Sequence, residues 1–281
     1  MRAVRSDEVR RSVVAGMFYP CEQEVLEQEL DRLFDSVGEC EAVGEIKALI
    51  SPHAGYQYSG KIAAAGYKQL QNYDVSTIAI ISPNHHEYFD GISVFAGKAY
   101  ETPLGLLQVD QGLAEALVNY DDVIMSSWSG HLAEHAVEVQ LPFLQRIFRD
   151  VKIIPIVMGR QDYEMSVLLG EALAHVLSSV PFLVIASSDL SHYHPYHEAI
   201  AIDSDTISTL EHLDETELIE RIEAHQCEAC GGGPIAAAML AAKKAGANHT
   251  EVFAQCNSGD VSGDRSRVVG YVSAAFTRVP T

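Results

Sequence analysis

Three uninterrupted apolar runs constrain the fold more than any other feature of the chain: TIAIIS (77–82), KIIPIV (152–157) and FLVIASS (182–188). Runs rich in Val and Ile, with no polar alternation, cannot leave one face in water, so they read as strands covered on both faces. Segments between such runs place apolar residues at helical spacing, as in EQEVLEQELDRLFDSV (22–37) and over 163–179. Further strands are expected at EIKALIS (45–51), ISVFAG (92–97), TEVFAQ (250–255) and RVVGYVSAAF (267–276). Helices are expected near 61–70, 111–120, 137–149, 198–211, 215–225 and 234–245. This alternation predicts an α/β fold of three layers, a mostly parallel central sheet with some mixed strands, flanked by helices. No linker, composition break or internal repeat interrupts the chain, so residues 1–281 read as one domain.

Charge narrows the choice of partner. With 39 acidic against 19 basic residues the net charge is −20, which disfavours nucleic acid or an anionic membrane as the main partner. No apolar stretch approaches the ~20 residues of a membrane-spanning helix, and the first residues lack the apolar core of a signal peptide. Five cysteines (Cys21, Cys40, Cys227, Cys230, Cys256) are sparse and odd in number, so a reducing, cytoplasmic setting is expected rather than a disulfide scaffold.

Histidine is the unusual residue, numbering 12, with several in tight groups. In open α/β sheets, ligands bind beyond the carboxyl ends of the strands. EIKALIS is followed by Pro52-His53-Ala54-Gly55-Tyr56, TIAIIS by Pro83-Asn84-His85-His86, and FLVIASS by Asp189-Leu190-Ser191-His192. A lone loop histidine is most often structural; three at equivalent strand ends point to one shared site. Converging neutral imidazoles suit a transition metal, with iron, copper and zinc as candidates.

A further ligand is available from Cys230 in CEACGGGPIAAAML, where the glycines permit close backbone approach and a helix follows from about Pro234. The positive helix end favours a thiolate there; the alternative is an inert buried thiol beside a glycine turn. Cys227 and Cys230 form a lone CxxC with neither a second pair nor a preceding apolar strand, which disfavours a zinc or redox dithiol. In HLAEHAVEVQLPFL (131–144), His131 and His135 are four apart, but the acid is Glu134, so this is not an H-E-x-x-H motif. Glu134 and His135 either line the pocket and orient a ligand, or Glu134 caps the start of the helix. NSGDVSGDRSRVVGY (257–271) is a polar loop whose Asp260, Asp264 and Arg265 suit an anion or a solvated turn.

Taken in order, AGMFYP, SPHAGYQYSG, SPNHH, AEHAVEVQLPFL, SSDLSHY, CGGGPI and NSGDVSGDRSRVVGY span nearly the whole chain and resemble the Memo family (mediator of ErbB2-driven cell motility). Microbial members of that family are called AmmeMemoRadiSam system protein B, which implies a functional link to radical-SAM and AMMECR-type proteins. The family is in turn distantly similar to the class III extradiol (LigB-type) dioxygenases, non-haem iron proteins of α/β architecture. The resemblance implies His53, His85 and Cys230 as metal ligands, with His192 and Asp189 in the pocket. In this reading His192 is an acid/base group, Asp189 fixes its tautomer, and His86, Glu134, His135 and Tyr56 line or support the site. A cysteine where the dioxygenases use a carboxylate shifts preference toward copper or altered iron chemistry, so dioxygenase activity does not follow from the fold. The expected function is metal-dependent redox chemistry on a small substrate. The alternatives are a non-catalytic metal- or partner-binding protein that keeps the pocket, and a zinc-dependent hydrolase.

Overall fold

The computed structural model describes residues 2–38 and 41–280; Cys40 lies outside them. In chain order the first elements are β1 (Val9–Arg10), α1 (Gln23–Asp35), β2 (Glu45–Ser51), α2 (Tyr56–Lys68), β3 (Thr77–Pro83), β4 (Ile92–Val94), β5 (Ala99–Thr102) and β6 (Gly105–Gln108). There follow α3 (Gln111–Val118), β7 (Ile124–Ser126), a 3₁₀ turn (Glu138–Gln140), α4 (Leu141–Ile147), β8 (Lys152–Met158), α5 (Tyr163–Leu177) and β9 (Phe182–Ser187). The chain ends with β10 (His192–His194), α6 (Tyr196–Glu211), α7 (Glu215–Glu223), α8 (Gly232–Lys244), β11 (His249–Asn257), α9 (Ser258–Ser262) and β12 (Val268–Arg278).

The central sheet runs β10–β12–β2–β9–β3–β8–β4–β7, with β11 along the other side of β12. Its four middle strands, β2, β9, β3 and β8, are parallel, while β12 and β4 join antiparallel on the two flanks. The sheet is therefore mixed and flanked by helices, as the alternating pattern predicts. All seven residues of β3 are buried, which explains why its sequence shows no polar alternation. Small residues make the layers fit. The buried stretch of α8 is built largely of Gly and Ala, and a Cβ added at Gly170 of α5 would lie 2.9 Å from the Ala237 carbonyl.

Several boundaries differ from the sequence reading, each for a local reason. Helix α2 starts at Tyr56, five residues before Lys61, because the glycines of HAGYQYSG conceal a helical first turn. The helix expected over 137–149 opens as the 3₁₀ turn and becomes α-helical at Leu141, with Pro142 at its start, where a missing N–H costs nothing. The hairpin β5–β6 pairs with β1 in a separate small sheet and was hidden by its shortness. The loop 257–266 contains α9, closed by a capping box in which Asn257 and Asp260 reciprocate, while Asp264 closes the turn onto Ser266.

The N-terminal arm is tied to the 131–138 segment by a buried ion pair. Arg10 and Glu138 side chains are 1% and 0% exposed and hydrogen-bonded to each other. Arg10 Nε donates to the His131 carbonyl at 2.9 Å, and its guanidinium also reaches the Glu134 carbonyl. Glu138 accepts in addition from the amides of Val13 and Val14 and from the Tyr19 hydroxyl. Replacing Arg10 with Met keeps the volume and leaves Glu138 buried without its cation. Arg10→Met is therefore expected to lose about 3–5 kcal/mol in urea unfolding.

His131 is a core residue. Tyr100 donates its hydroxyl to His131 Nδ1 at 2.6 Å, and Nε2 faces the Ser93 carbonyl at 3.3 Å. Burial, reinforced by the Arg10 charge, pushes its pKa down from 6.5 to about 3. The unfolded chain thus binds a proton between these values that the folded one refuses, and stability falls as pH drops below 6.5. His131→Gln can keep both hydrogen bonds without titrating. Between pH 7 and pH 5 the parent should lose about 2 kcal/mol more stability than this variant in parallel urea titrations.

Candidate metal centre

The carboxyl ends of β2, β9 and β3, neighbours in the sheet, deliver the pocket. His53 follows β2, Asp189 and His192 follow β9, and His85 follows β3. A third imidazole, His135, arrives from the 131–138 segment pinned by Arg10. The rings of His53, His85 and His135 have centroids 5.0–5.4 Å apart, and one ring nitrogen from each lies within 4.8 Å of the others.

Hydrogen-bond counting fixes the state of each ring. Ser187 Oγ donates its single proton to the Ala136 carbonyl and accepts from Gln140 Nε2 at 2.8 Å. Gln140 Nε2 must be the amide end, because it also donates to the Pro52 carbonyl at 3.0 Å. Ser187 has only an acceptor site left for His53 Nδ1, 2.9 Å away, so His53 carries its proton on Nδ1 and a lone pair on Nε2. Glu134 does the same for the other two rings. Its carboxylate lies 3.0 Å from His85 Nδ1 and 3.1 Å from His135 Nδ1, and accepts from the amides of His85, His135 and Ala136. Each Nε2 is left on the side away from its orienting partner, that of His53 with Cys230 Sγ 3.3 Å away, the arrangement in which metal-binding histidines are held.

The charges follow from burial. Burial would raise Glu134, but the hydrogen bonds from His135 and His85 outweigh it and hold the carboxyl well below its usual range. His53 is driven well below the usual histidine range by burial and by its two neighbouring rings. His85 is also disfavoured in charged form by burial, yet Glu134 prevails and raises its pKa.

Cys230 lies against the nitrogen of His53 that faces away from Ser187, its Sγ 3.3 Å from Nε2. It belongs to neither group of potential ligands whose atoms lie within 4.8 Å of one another; those groups are His53/His85/His135 and His86/Glu134/His135. The Asp189 amide donates to Sγ at 3.2 Å, but burial and the Asp189 carboxylate push the thiol up. The thiolate expected from the helix end is thus disfavoured in the metal-free protein, because desolvation outweighs the hydrogen bonds from the Asp189 amide and Ser188. The backbone approach anticipated from the glycines is against Ser187, whose carbonyl would lie 2.5 Å from a Cβ at Gly231. Cys227 is buried beside Thr209 and forms no disulfide.

The remaining pocket residues take distinct positions. Asp189 is buried, and burial raises its pKa; its Oδ1 accepts the His53 amide at 2.8 Å and its Oδ2 lies 3.9 Å from His53 Nε2. It does not fix the His192 tautomer: His192 Nδ1 donates to the Leu190 carbonyl at 2.7 Å, leaving Nε2 free. His86 is exposed, yet its ring lies on the His135 side, with centroids 6.0 Å apart. Adjacent side chains point apart only on extended backbone, and here Asn84 accepts from the amides of His86 and Glu87 and curls the chain. Tyr56 is in the core rather than in the pocket; its hydroxyl donates to the Val139 carbonyl at 2.8 Å, bracing the turn after His135. Sequence reasoning gave no role to Ser187 or Gln140. The signal for them was a serine ending each strand and a polar residue, Gln140, which with Glu138 interrupts an otherwise apolar helix start.

A mixed, helix-flanked α/β sheet with imidazoles gathered at its parallel strand ends defines an α/β protein with a candidate metal centre. The chain belongs to the Memo family, whose model, described as Memo-like protein, matches residues 10–275. A MEMO1 family protein of Methanosarcina mazei is 42% identical over 269 residues, covering 95% of this chain and 98% of that one. A MEMO1 family protein of Aquifex aeolicus is 39% identical over 271 residues, covering 95% and 99%. Among solved structures, the crystal structure of uncharacterized protein JW3007 from Escherichia coli K12 superposes with a TM-score of 0.57 over 82% of this chain and 100% of that one. At 12% identity that likeness is one of fold. No helix among the described residues is long and apolar enough to cross a membrane.

The ring states are directly checkable. Long-range ¹H–¹⁵N spectra of metal-free protein should show His53 and His85 protonated on Nδ1. Ser187→Ala should move the His53 signals toward tautomer exchange and leave those of His85 in place.

Proposed function

We propose that the pocket holds a transition metal, iron or copper, and performs redox chemistry on a small substrate. The observation that carries this reading is the convergence of three imidazoles whose Nδ1 atoms are turned to Ser187 and Glu134, which leaves each Nε2 on the side away from these partners, that of His53 beside the Cys230 thiol. His53, His85 and His135 would hold the ion, with Cys230, adjoining His53, as the sulfur donor that the family resemblance adds. Such an ion supplies Lewis acidity and a change of oxidation state. A thiol at the edge of the donor set favours copper or iron over harder cations.

The protein's own groups have separable tasks. His192 Nε2, free because Nδ1 is committed to the Leu190 carbonyl, accepts or returns a substrate proton. Asp189 holds the His53 backbone in place, and the half-buried His85 edge leaves room for a ligand to enter. A zinc-dependent hydrolase is a second reading with its own support, because three imidazoles are also a donor set of catalytic zinc.

Elemental analysis after anaerobic purification should find near-stoichiometric iron or copper, with oxygen consumption in the presence of a reductant. His85→Ala and His135→Ala should each weaken metal binding at least about tenfold, the scale at which even supporting residues act. Folded protein without metal under reducing conditions would overturn the proposal, and stoichiometric zinc with esterase or amidase activity would replace it by the hydrolase. Cys230→Ser separates the donor sets: unchanged affinity leaves the three imidazoles as the whole site.

A further inference from the structure

A second cavity, of about 270 Å³, lies between α6, the end of β11 and β12, and none of the clustered imidazoles lines it. Its wall includes Asp203, Asn257, Asp260 and Tyr271. Three of these are at least nine-tenths buried: Asn257 is 2%, Tyr271 3% and Asp203 9% exposed. Asn257 Nδ2 has no hydrogen-bond partner among the described residues, while Asn257 Oδ1 and Asp203 Oδ1 accept from the amides of Gly259 and Ser191. The Ser258 side chain stands beside the Tyr271 hydroxyl, and that of Ser191 beside the Asp203 carboxylate. These residues are buried as a whole, and they border one cavity in which a ligand's own groups can pair with them.

The wall also has a sign. Asp203 and Asp260 line it and no Lys or Arg does. Arg265 stacks over the Tyr196 ring at 4.3 Å, and Lys61 is exposed, its charge felt at Cys256 on the wall. Room for the Asp203 carboxylate is made by Gly270, where an added Cβ would lie 1.9 Å from Oδ2. Burial raises the Asp203 carboxyl above its usual range, a cost that a bound cation would relieve. The acidic and donor groups stand too far apart for an ion site: no three carboxylate, thiol or imidazole ligands from this wall gather within 4.8 Å.

We infer that this cavity binds a small polar amine, its ammonium on Asp203 and a neighbouring hydroxyl or carbonyl oxygen on Tyr271 Oη and Asn257 Nδ2. The size admits a molecule smaller than a typical drug-sized ligand. Asp203 also holds the Ser191 amide at 3.0 Å, one residue before His192, so occupancy bears on the loop that carries the acid/base histidine.

Ethanolamine serves as the probe and ethylene glycol as its uncharged control, each titrated into the full-length protein by calorimetry and followed by amide chemical shifts. Saturable ethanolamine binding is expected, with shifts clustered at 255–257, 203–204 and 271, and ethylene glycol at least about tenfold weaker. Asp203→Asn keeps the acceptor for Ser191 and removes the charge; it should cost at least about tenfold in affinity. Tyr271→Phe removes one hydroxyl, beside Ser258, and keeps the ring in place, so it should fold and bind about threefold or more weakly; it carries the test should Asp203→Asn fail to fold. The inference is overturned by the absence of saturable binding, by equal affinity for the glycol, or by variants that bind ethanolamine as tightly as the parent.

Discussion

One carboxylate organises the pocket. Glu134 accepts from three backbone amides and stands within 3.1 Å of Nδ1 on both His85 and His135. These two rings come from different parts of the chain, one after a central strand and one from an irregular segment, and among the described residues no other contact sets both of their tautomers. A carboxylate with five such partners repays its desolvation, which is why it stays ionised although almost fully buried. Glu134 is itself placed from a distance: Arg10 binds its carbonyl and that of His131 while pairing with Glu138. The pocket therefore rests on the N-terminal arm as much as on the sheet.

The sheet contributes the third ring with less freedom. Ser51 and Ser187 are register partners on the parallel strands β2 and β9, so the turns that follow start level with each other. That register brings Ser187 Oγ under His53 and lets Gln140 bridge the Pro52 carbonyl and Ser187. Tyr67 closes the chain by donating to Gln140 Oε1 at 2.7 Å. Every proton in this network has one destination, and reversing one group would leave a buried donor or acceptor unpaired. Helix α2, the 3₁₀ turn and strand β9 thus share one consequence: a lone pair on His53 Nε2.

Much of this was readable before any coordinates. Apolar runs without alternation locate the parallel strands because both their faces are covered, and the strand-end rule puts His53, His85, Asp189 and His192 in one crevice. His135 was harder to place. It follows no strand, and its position depends on Arg10, 125 residues earlier in the chain, a contact that no local pattern encodes. His86 was read as lining or supporting the site, but the side to which it points was not legible, since it depends on the Asn84 turn rather than on strand pleating. Cys230 shows the limit of local electrostatics. Proximity to a helix start argues for thiolate, but burial and the Asp189 charge, both products of tertiary packing, decide against it. Short elements such as β5, β6 and α9 escaped because a few residues carry too little periodicity to stand out.

Exposure around the three rings is graded, and the gradient orients the pocket. His53 is 2% exposed in its side chain, His135 15% and His85 30%. A ligand therefore meets His85 first, beside the fully open His86, and meets His53 last, against Cys230 and Asp189. Groups at the open edge are held in water-accessible surroundings, where Glu134 can raise His85 toward protonation. Groups at the closed end are desolvated, which lowers His53 and raises Asp189 and Cys230, a shift in each toward the neutral form. The neutral form of His53 is the one that offers a lone pair. Depth alone thus prepares the inner ring to donate, whereas the outer ring needs Glu134 to orient it, and the division of labour between sheet and N-terminal arm follows from that difference.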